Sequence, residues 1–219
     1  MTQPAAFEGL EAHALACAAG DRTLFESLDL RVAAGEWATL VGPNGSGKTT
    51  LLRAIAGLAR PLAGEVRWRG TPRRAGSAEW HADCLYQGHA AGWKDGLTAR
   101  ENLALQAALD GLAPAARELD AALAGVGLER QAGLPFGRLS AGQRRRLSLA
   151  RLSLSRRRLW LLDEPATALD RAGLDVLAAL IDAHLARDGT ALVATHQGLP
   201  CMRPPAVVEL GRAGTRAAS

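Results

Sequence analysis

The stretch Gly42-Pro43-Asn44-Gly45-Ser46-Gly47-Lys48-Thr49-Thr50 constrains this chain more than any other. Two glycines bracket four residues and are followed by Lys and a hydroxyl side chain, which is the phosphate-binding loop pattern. Residues 36–41 before it form an apolar run suited to a buried strand, and residues 49–56 after it have the composition of a helix. The pattern needs that context, because a helix start then offers free N–H groups to an anion. Gly42, Gly45 and Gly47 let the backbone curl around phosphate without a Cβ in the way. Lys48 is placed to neutralise β- and γ-phosphates, and the Thr49 hydroxyl to bind Mg²⁺. A chain built around this loop is expected to bind a nucleoside triphosphate.

Length and composition set the frame. At 219 residues the sequence suits one domain carrying a subdomain, and is long enough for a substantial core. No apolar run approaches the ~18 residues that cross a bilayer, and the N-terminus lacks both the basic region and the apolar core of a secretory signal. Cys17, Cys84 and Cys201 are odd in number and share no metal-ligand or redox spacing, which points to reduced thiols in the cytosol. The net charge of +4 rests almost wholly on Arg, with Lys48 and Lys94 the sole lysines. A lysine kept inside the phosphate loop fits its use there as a compact point charge.

Residues 7–12 and 28–33 have strand character, and 65–70 alternate apolar and polar residues before closing on glycine. Residues 71–84 carry no clear signal, and Cys84-Leu85-Tyr86 is a short strand leading into Gln87-Gly88-His89. Thr98-Ala99-Arg100-Glu101 is a capping box that starts a helix, and Pro114 opens another with Leu119, Ala122 and Leu123 on its apolar face. Every element from 98 to about 155 has a helical pattern while strands flank the block, as for a helical subdomain inserted into a sheet-containing core. Strands are again expected at 158–164, 191–194 and 207–211, with an amphipathic helix over 174–186.

Two further stretches carry chemistry. The apolar strand ending in Asp163-Glu164 supplies what a triphosphate site lacks, since Asp163 can share the Mg²⁺ with Thr49. Glu164 beside it is placed to act as general base toward water. In Leu139-Ser140-Ala141-Gly142-Gln143, Ser140 and Gln143 form a capping box, and the same capped helix start has the makings of a second anion site. Arg144–Arg146 and Arg156–Arg158 are best taken as basic, solvated surface rather than a nucleic-acid site.

The phosphate loop, Leu139-Ser140-Ala141-Gly142-Gln143, Leu162-Asp163-Glu164-Pro165, Ala168-Leu169-Asp170 and Thr195-His196 together resemble the ordered motif set of ABC-transporter ATPases over residues 7–211. The resemblance implies an α/β phosphate-loop NTPase core with an N-terminal antiparallel β subdomain and the inserted helical subdomain. It implies a head-to-tail dimer holding two ATP molecules, each with Mg²⁺. Lys48, Thr49, Asp163 and Glu164 of one copy would face Ser140, Gly142 and Gln143 of the other, and Asp170 would cross to the opposite site. His196 would contact the γ-phosphate and hold Glu164 and the water. Two positions depart from the family pattern. The γ-phosphate-sensing glutamine falls in register on His89, with Gln87 the chemical alternative. The aromatic that stacks on adenine should fall near Ala19, where there is none, and Arg22 could stack instead.

Tyr86-Gln87-Gly88-His89, Lys94, Leu97-Thr98 and Thr195-His196-Gln197 further resemble the ATP-binding subunits of haem-exporter-type complexes of cytochrome c maturation. That resemblance implies an ATPase on the cytoplasmic face of the bacterial inner membrane that energises separate integral membrane subunits, with no nucleic-acid partner. The alternatives are an ATPase of another ABC transporter, or a soluble relative acting on nucleic acid or ribosomes. The second usually has coiled-coil arms or paired modules, and neither is visible in this sequence.

Overall fold

The computed structural model describes residues 7–74, 76–88 and 92–211. The chain opens with a long hairpin, β1 (Gly9–Ala19) and β2 (Arg22–Ala33), and then enters β3 (Trp37–Val41) and α1 (Lys48–Ala56). Next come β4 (Ala63–Trp68), β5 (Thr71–Pro72), α2 (Ala78–Asp83) and β6 (Cys84–Gln87). The helical stretch holds α3 (Ala99–Leu109), α4 (Ala116–Gly125) and α5 (Ala141–Leu154). Finally β7 (Leu159–Asp163), α6 (Arg171–Leu185), β8 (Thr190–Ala194) and β9 (Ala206–Glu209) return to the core.

Two sheets result. One is antiparallel in the order β2-β1-β4-β5, the other parallel in the order β6-β7-β8-β3-β9. Every residue of β7 and β8 is buried, as expected of parallel strands covered on both faces. Helix α1 packs between the two sheets, with Leu51, Leu52 and Ile55 in one core together with Leu10, Leu28, Leu161 and Leu192. On the far side of the parallel sheet, Leu103, Leu147 and Leu177 from α3, α5 and α6 form a second core with Trp160 and Leu162. The carboxyl ends of β3, β7 and β8 lie side by side, so the phosphate loop, Asp163-Glu164 and Thr195-His196 emerge at one edge. This is where open parallel sheets hold their ligands.

The hairpin is longer than the sequence pattern indicates. Register shifts at Ala12/Leu15 and Leu15/Cys17, and left-handed φ angles of 46° at Ala14 and 52° at Ser27, interrupt the alternation that marks a strand. The uninformative segment 71–84 holds β5 and α2. Ser77 caps α2 by accepting from Trp80 N at 3.2 Å, and buried Trp80 donates its indole N–H to the Ala56 carbonyl at 3.0 Å.

Candidate nucleotide site

Gly47 precedes α1 with φ 104° and gives the helix no side-chain cap, so the first-turn N–H groups stay free for an anion. At Gly42, φ is 148° and a Cβ would lie 2.4 Å from the Leu210 carbonyl, which leaves room for glycine alone. The buried Lys48 ammonium folds over the loop and donates to the carbonyls of Gly42 at 2.7 Å and Pro43 at 3.3 Å. Ser46 Oγ is buried without a hydrogen-bond partner among the described residues. A cation, an uncapped helix start and an orphaned hydroxyl together fit a phosphate chain. An open cavity of about 460 Å³ extends from Lys48 and Thr49 past Asn44 to Arg22, Leu24 and Ala19.

Asp163 ends β7 level with this loop. Its Oδ1 accepts from Thr49 Oγ1 at 3.0 Å, and its Oδ2 faces the Tyr86 hydroxyl at 3.4 Å. A hydroxyl and a carboxylate converging here make the all-oxygen donor set that suits Mg²⁺. Burial raises the Tyr86 pKa above its ordinary value, so the group stays a phenol able to donate. Glu164 follows with φ 52°, an unusual angle for a glutamate that costs about 1–3 kcal/mol where it is imposed. The surroundings impose it. Glu164 N donates to Ala194 O at 2.9 Å, its carbonyl accepts from Thr167 N at 3.3 Å, and its Oε1 stands 3.3 Å from His196 Nε2.

The Ser140 capping box is complete, with Ser140 Oγ accepting from Gln143 N at 3.2 Å and Gln143 Oε1 accepting from Ser140 N at 2.9 Å. Ser140 and Ala141 are exposed and Gly142 is half-buried, so this helix start lies open at the surface. Asp170 caps α6 by accepting from Gly173 N at 2.9 Å, and Arg146 grips both its carboxylate oxygens at 2.7 and 2.9 Å. The Arg146 hydrogen bonds, followed by that cap, hold the Asp170 carboxyl below its usual range.

The Arg144–Arg146 run is not the solvated basic surface expected from its composition. Arg144 donates to the carbonyls of Leu139 and Gly137 at 3.0 and 2.9 Å. Buried Arg145 donates to the Thr167 carbonyl at 3.1 Å. Burial lowers the Arg145 pKa, against the pull of the nearby Glu164 and Asp163 charges. Arg157 likewise turns inward, to the Cys84 carbonyl at 3.0 Å and to Asp110 at 3.0 Å. Arg145 ties α5 to the turn after Glu164, Arg144 ties it to the segment before Ser140, and Arg157 joins β6 to Asp110, none of which composition reveals.

Gln87 closes β6. Leu85, two residues earlier on the same face, packs in the helical core, whereas Tyr86 packs on the α1 side. Strand alternation therefore turns the Gln87 amide away from Thr49 and Asp163. It is buried, and neither amide atom has a partner among the described residues. His89 lies outside the described residues. Tyr86, to which the sequence motifs assign no role, is the β6 side chain that reaches Asp163.

The chain matches the family model "ABC transporter" over residues 25–167. The cytochrome c biogenesis ATP-binding export protein CcmA 1 of Cupriavidus metallidurans is 47% identical over 199 residues, spanning 91% of this chain and 94% of that protein. The protein of the same name from Salmonella paratyphi A is 49% identical over 191 residues, spanning 87% and 91%. A putative ABC-transporter ATP-binding protein from Pyrococcus furiosus superposes with a TM-score of 0.79 at 25% identity, covering 93% of this chain and 98% of that one. With the fold, the motif order and the sequence in agreement, the chain belongs to the ABC transporter family, as an ATP-hydrolysing member.

Proposed function

We propose that the chain is the ATPase subunit of a cytochrome c biogenesis exporter, working as a dimer at the cytoplasmic face of the inner membrane beside separate membrane subunits. No helix among the described residues is long and apolar enough to cross a membrane itself. The observation that carries the enzymatic reading is the pairing of Glu164 with His196 at 3.3 Å next to the Thr49–Asp163 contact at 3.0 Å. The relatives of nearly equal length named for cytochrome c biogenesis support the physiological setting.

In this reading the α1 N-terminus, the loop from Gly42 through Gly47, Lys48 and Thr50 bind the triphosphate. Thr49 and Asp163 hold Mg²⁺, which when bound neutralises charge on the phosphate oxygens. Glu164 takes a proton from the attacking water, and His196 holds the carboxylate in place while its ring approaches the γ-phosphate. The Ser140 hydroxyl and the N–H of Gly142 complete the pocket from a second copy, with Gln143 holding the cap that fixes Ser140, stabilising charge that grows as the phosphoryl group leaves. Asp170, held by Arg146, stands beside that same helix start. Gln87 faces the other side of the sheet and is given no direct contact with nucleotide.

The test is physiological. Lys48→Ala, introduced in place of the wild-type gene, should leave the protein folded and present while haem-stained c-type cytochromes fall to the level of a deletion strain. Wild-type levels of c-type cytochromes in that strain would move the ATPase to another transporter.

A further inference from the structure

Asp163 has two carboxylate oxygens, and a different hydroxyl meets each. Thr49 Oγ1, on the phosphate-loop helix, donates to Oδ1 at 3.0 Å. The Tyr86 hydroxyl, from β6 on the neighbouring strand, points to Oδ2 at 3.4 Å. On its other side the same phenol oxygen accepts from Arg53 Nε at 3.3 Å. With a lone pair occupied by Arg53, the phenol proton is left to face Asp163. A terminal carboxylate torsion is broad and roughly two-fold, so one donor alone leaves it loosely aimed. Two donors on separate elements restrict it.

The ring of Tyr86 is itself confined. A Cβ at Gly88 would lie 2.8 Å from the Tyr86 hydroxyl and 2.9 Å from its ring, so the backbone leaving β6 runs alongside the side chain with no room for a Cβ between them. The contacts thus run from the start of the loop after β6, through Tyr86, to the carboxylate beside Thr49.

We propose that Tyr86 is a positioning residue that aims the Asp163 carboxylate at Mg²⁺, and that Gly88 and Arg53 set Tyr86 for this task. The proposal rests on the reading of Asp163 as a magnesium-holding side chain. Tyr86 acts through Asp163, whose Oδ2 its hydroxyl faces. Movement of the chain at Gly88 is thereby transmitted to the metal site without passing through the phosphate loop.

The experiment uses the full chain with ADP and Mn²⁺ as the probe, reading free Mn²⁺ by electron paramagnetic resonance. Tyr86→Phe keeps the packed ring and removes the hydroxyl. Its Mn²⁺ dissociation constant in the presence of ADP should rise about three- to tenfold, the effect of one modest hydrogen bond. ADP affinity without metal should stay at the wild-type value. Gly88→Ala, which pushes on the ring, should shift the Mn²⁺ titration in the same direction. A Tyr86→Phe titration indistinguishable from wild type overturns the proposal, as does an equal loss of metal-free ADP affinity, which would show a general packing role. Asp163→Asn separates the two readings. If it loses metal affinity while Tyr86→Phe does not, only the role of Tyr86 fails. If it too titrates like wild type, the metal assignment of Asp163 fails and the proposal falls with it.

Discussion

Arg22 pairs with Ala19 across the tip of the β1–β2 hairpin and, with Leu24, lines the open end of the cavity whose inner end holds Lys48. Among the described residues that line it none is aromatic, so a base placed there would have a guanidinium face and the Leu24 and Ala19 side chains to rest on. A guanidinium stacks on any purine, and it offers little to separate adenine from guanine. Wild-type enzyme should therefore use GTP with a kcat/KM within about tenfold of that for ATP, a gap of about 1.4 kcal/mol. Arg22→Ala should raise KM for both nucleotides about three- to tenfold with kcat preserved, the mark of a contact made equally before and during reaction. Steady-state kinetics with the two nucleotides decide this, and an unchanged KM would place the base against another surface.

At the scale of elements, α6 and β7 meet through a buried aromatic pair. His184, in the last turn of α6, stacks on Trp160 with ring centroids 3.9 Å apart and planes 9° from parallel. Its Nε2 faces the Thr190 carbonyl at 3.2 Å. Burial, first among the causes, lowers the imidazole pKa to about 4. The unfolded chain takes up this proton below about pH 6.5, whereas the folded chain waits until about 4, so the fold loses stability as pH falls through that window. Between pH 7 and pH 5 the loss from this residue is about 2 kcal/mol. Urea unfolding at the two pH values should show that difference in wild type, and His184→Phe should remove it. A variant with the same pH dependence as wild type would mean that other groups carry the effect.

The elements also show what the residues announce and what they conceal. The two capping boxes at Thr98 and Ser140 formed as their sequence patterns indicate, because a cap is a local bond between residues three apart. The strand-loop-helix around Lys48 and the carboxylates ending β7 were legible for the same reason, one apolar run followed by a chemically distinctive end. The hairpin was only partly legible, since its bulges break the two-residue period at Ala14 and Ser27. Arg144–Arg146 were misread because an arginine has the same composition whether it faces water or clamps a carbonyl. The contact of Tyr86 with Asp163 is not legible in the sequence because the two lie 77 positions apart, and no local pattern encodes such a pair.

For the whole molecule, the half-built character of the site matters most. Lys48, Thr49, Asp163 and Glu164 are gathered around one cavity, whereas the exposed Ser140 begins a different helix. Closure of two copies would bring the halves together. Glu164→Gln preserves shape and removes the base, so turnover should fall about 10²- to 10⁴-fold while ATP binding persists. With ATP, this variant should elute as a dimer in size-exclusion chromatography with light scattering, and adding Ser140→Arg should return it to monomer. Hydrolysis at a near wild-type rate would remove Glu164 from the role of base, and a monomer with ATP would remove the composite pocket.

Helix α1 has a consequence of another kind. It belongs to one core with both the antiparallel and the parallel sheet, while its N-terminus is the cradle for phosphate. A ligand held there is in thermodynamic linkage with both layers at once, adding RT ln(1 + [L]/Kd) to the stability of a shared cooperative unit. Nucleotide bound there should therefore raise the unfolding temperature of both sheets together.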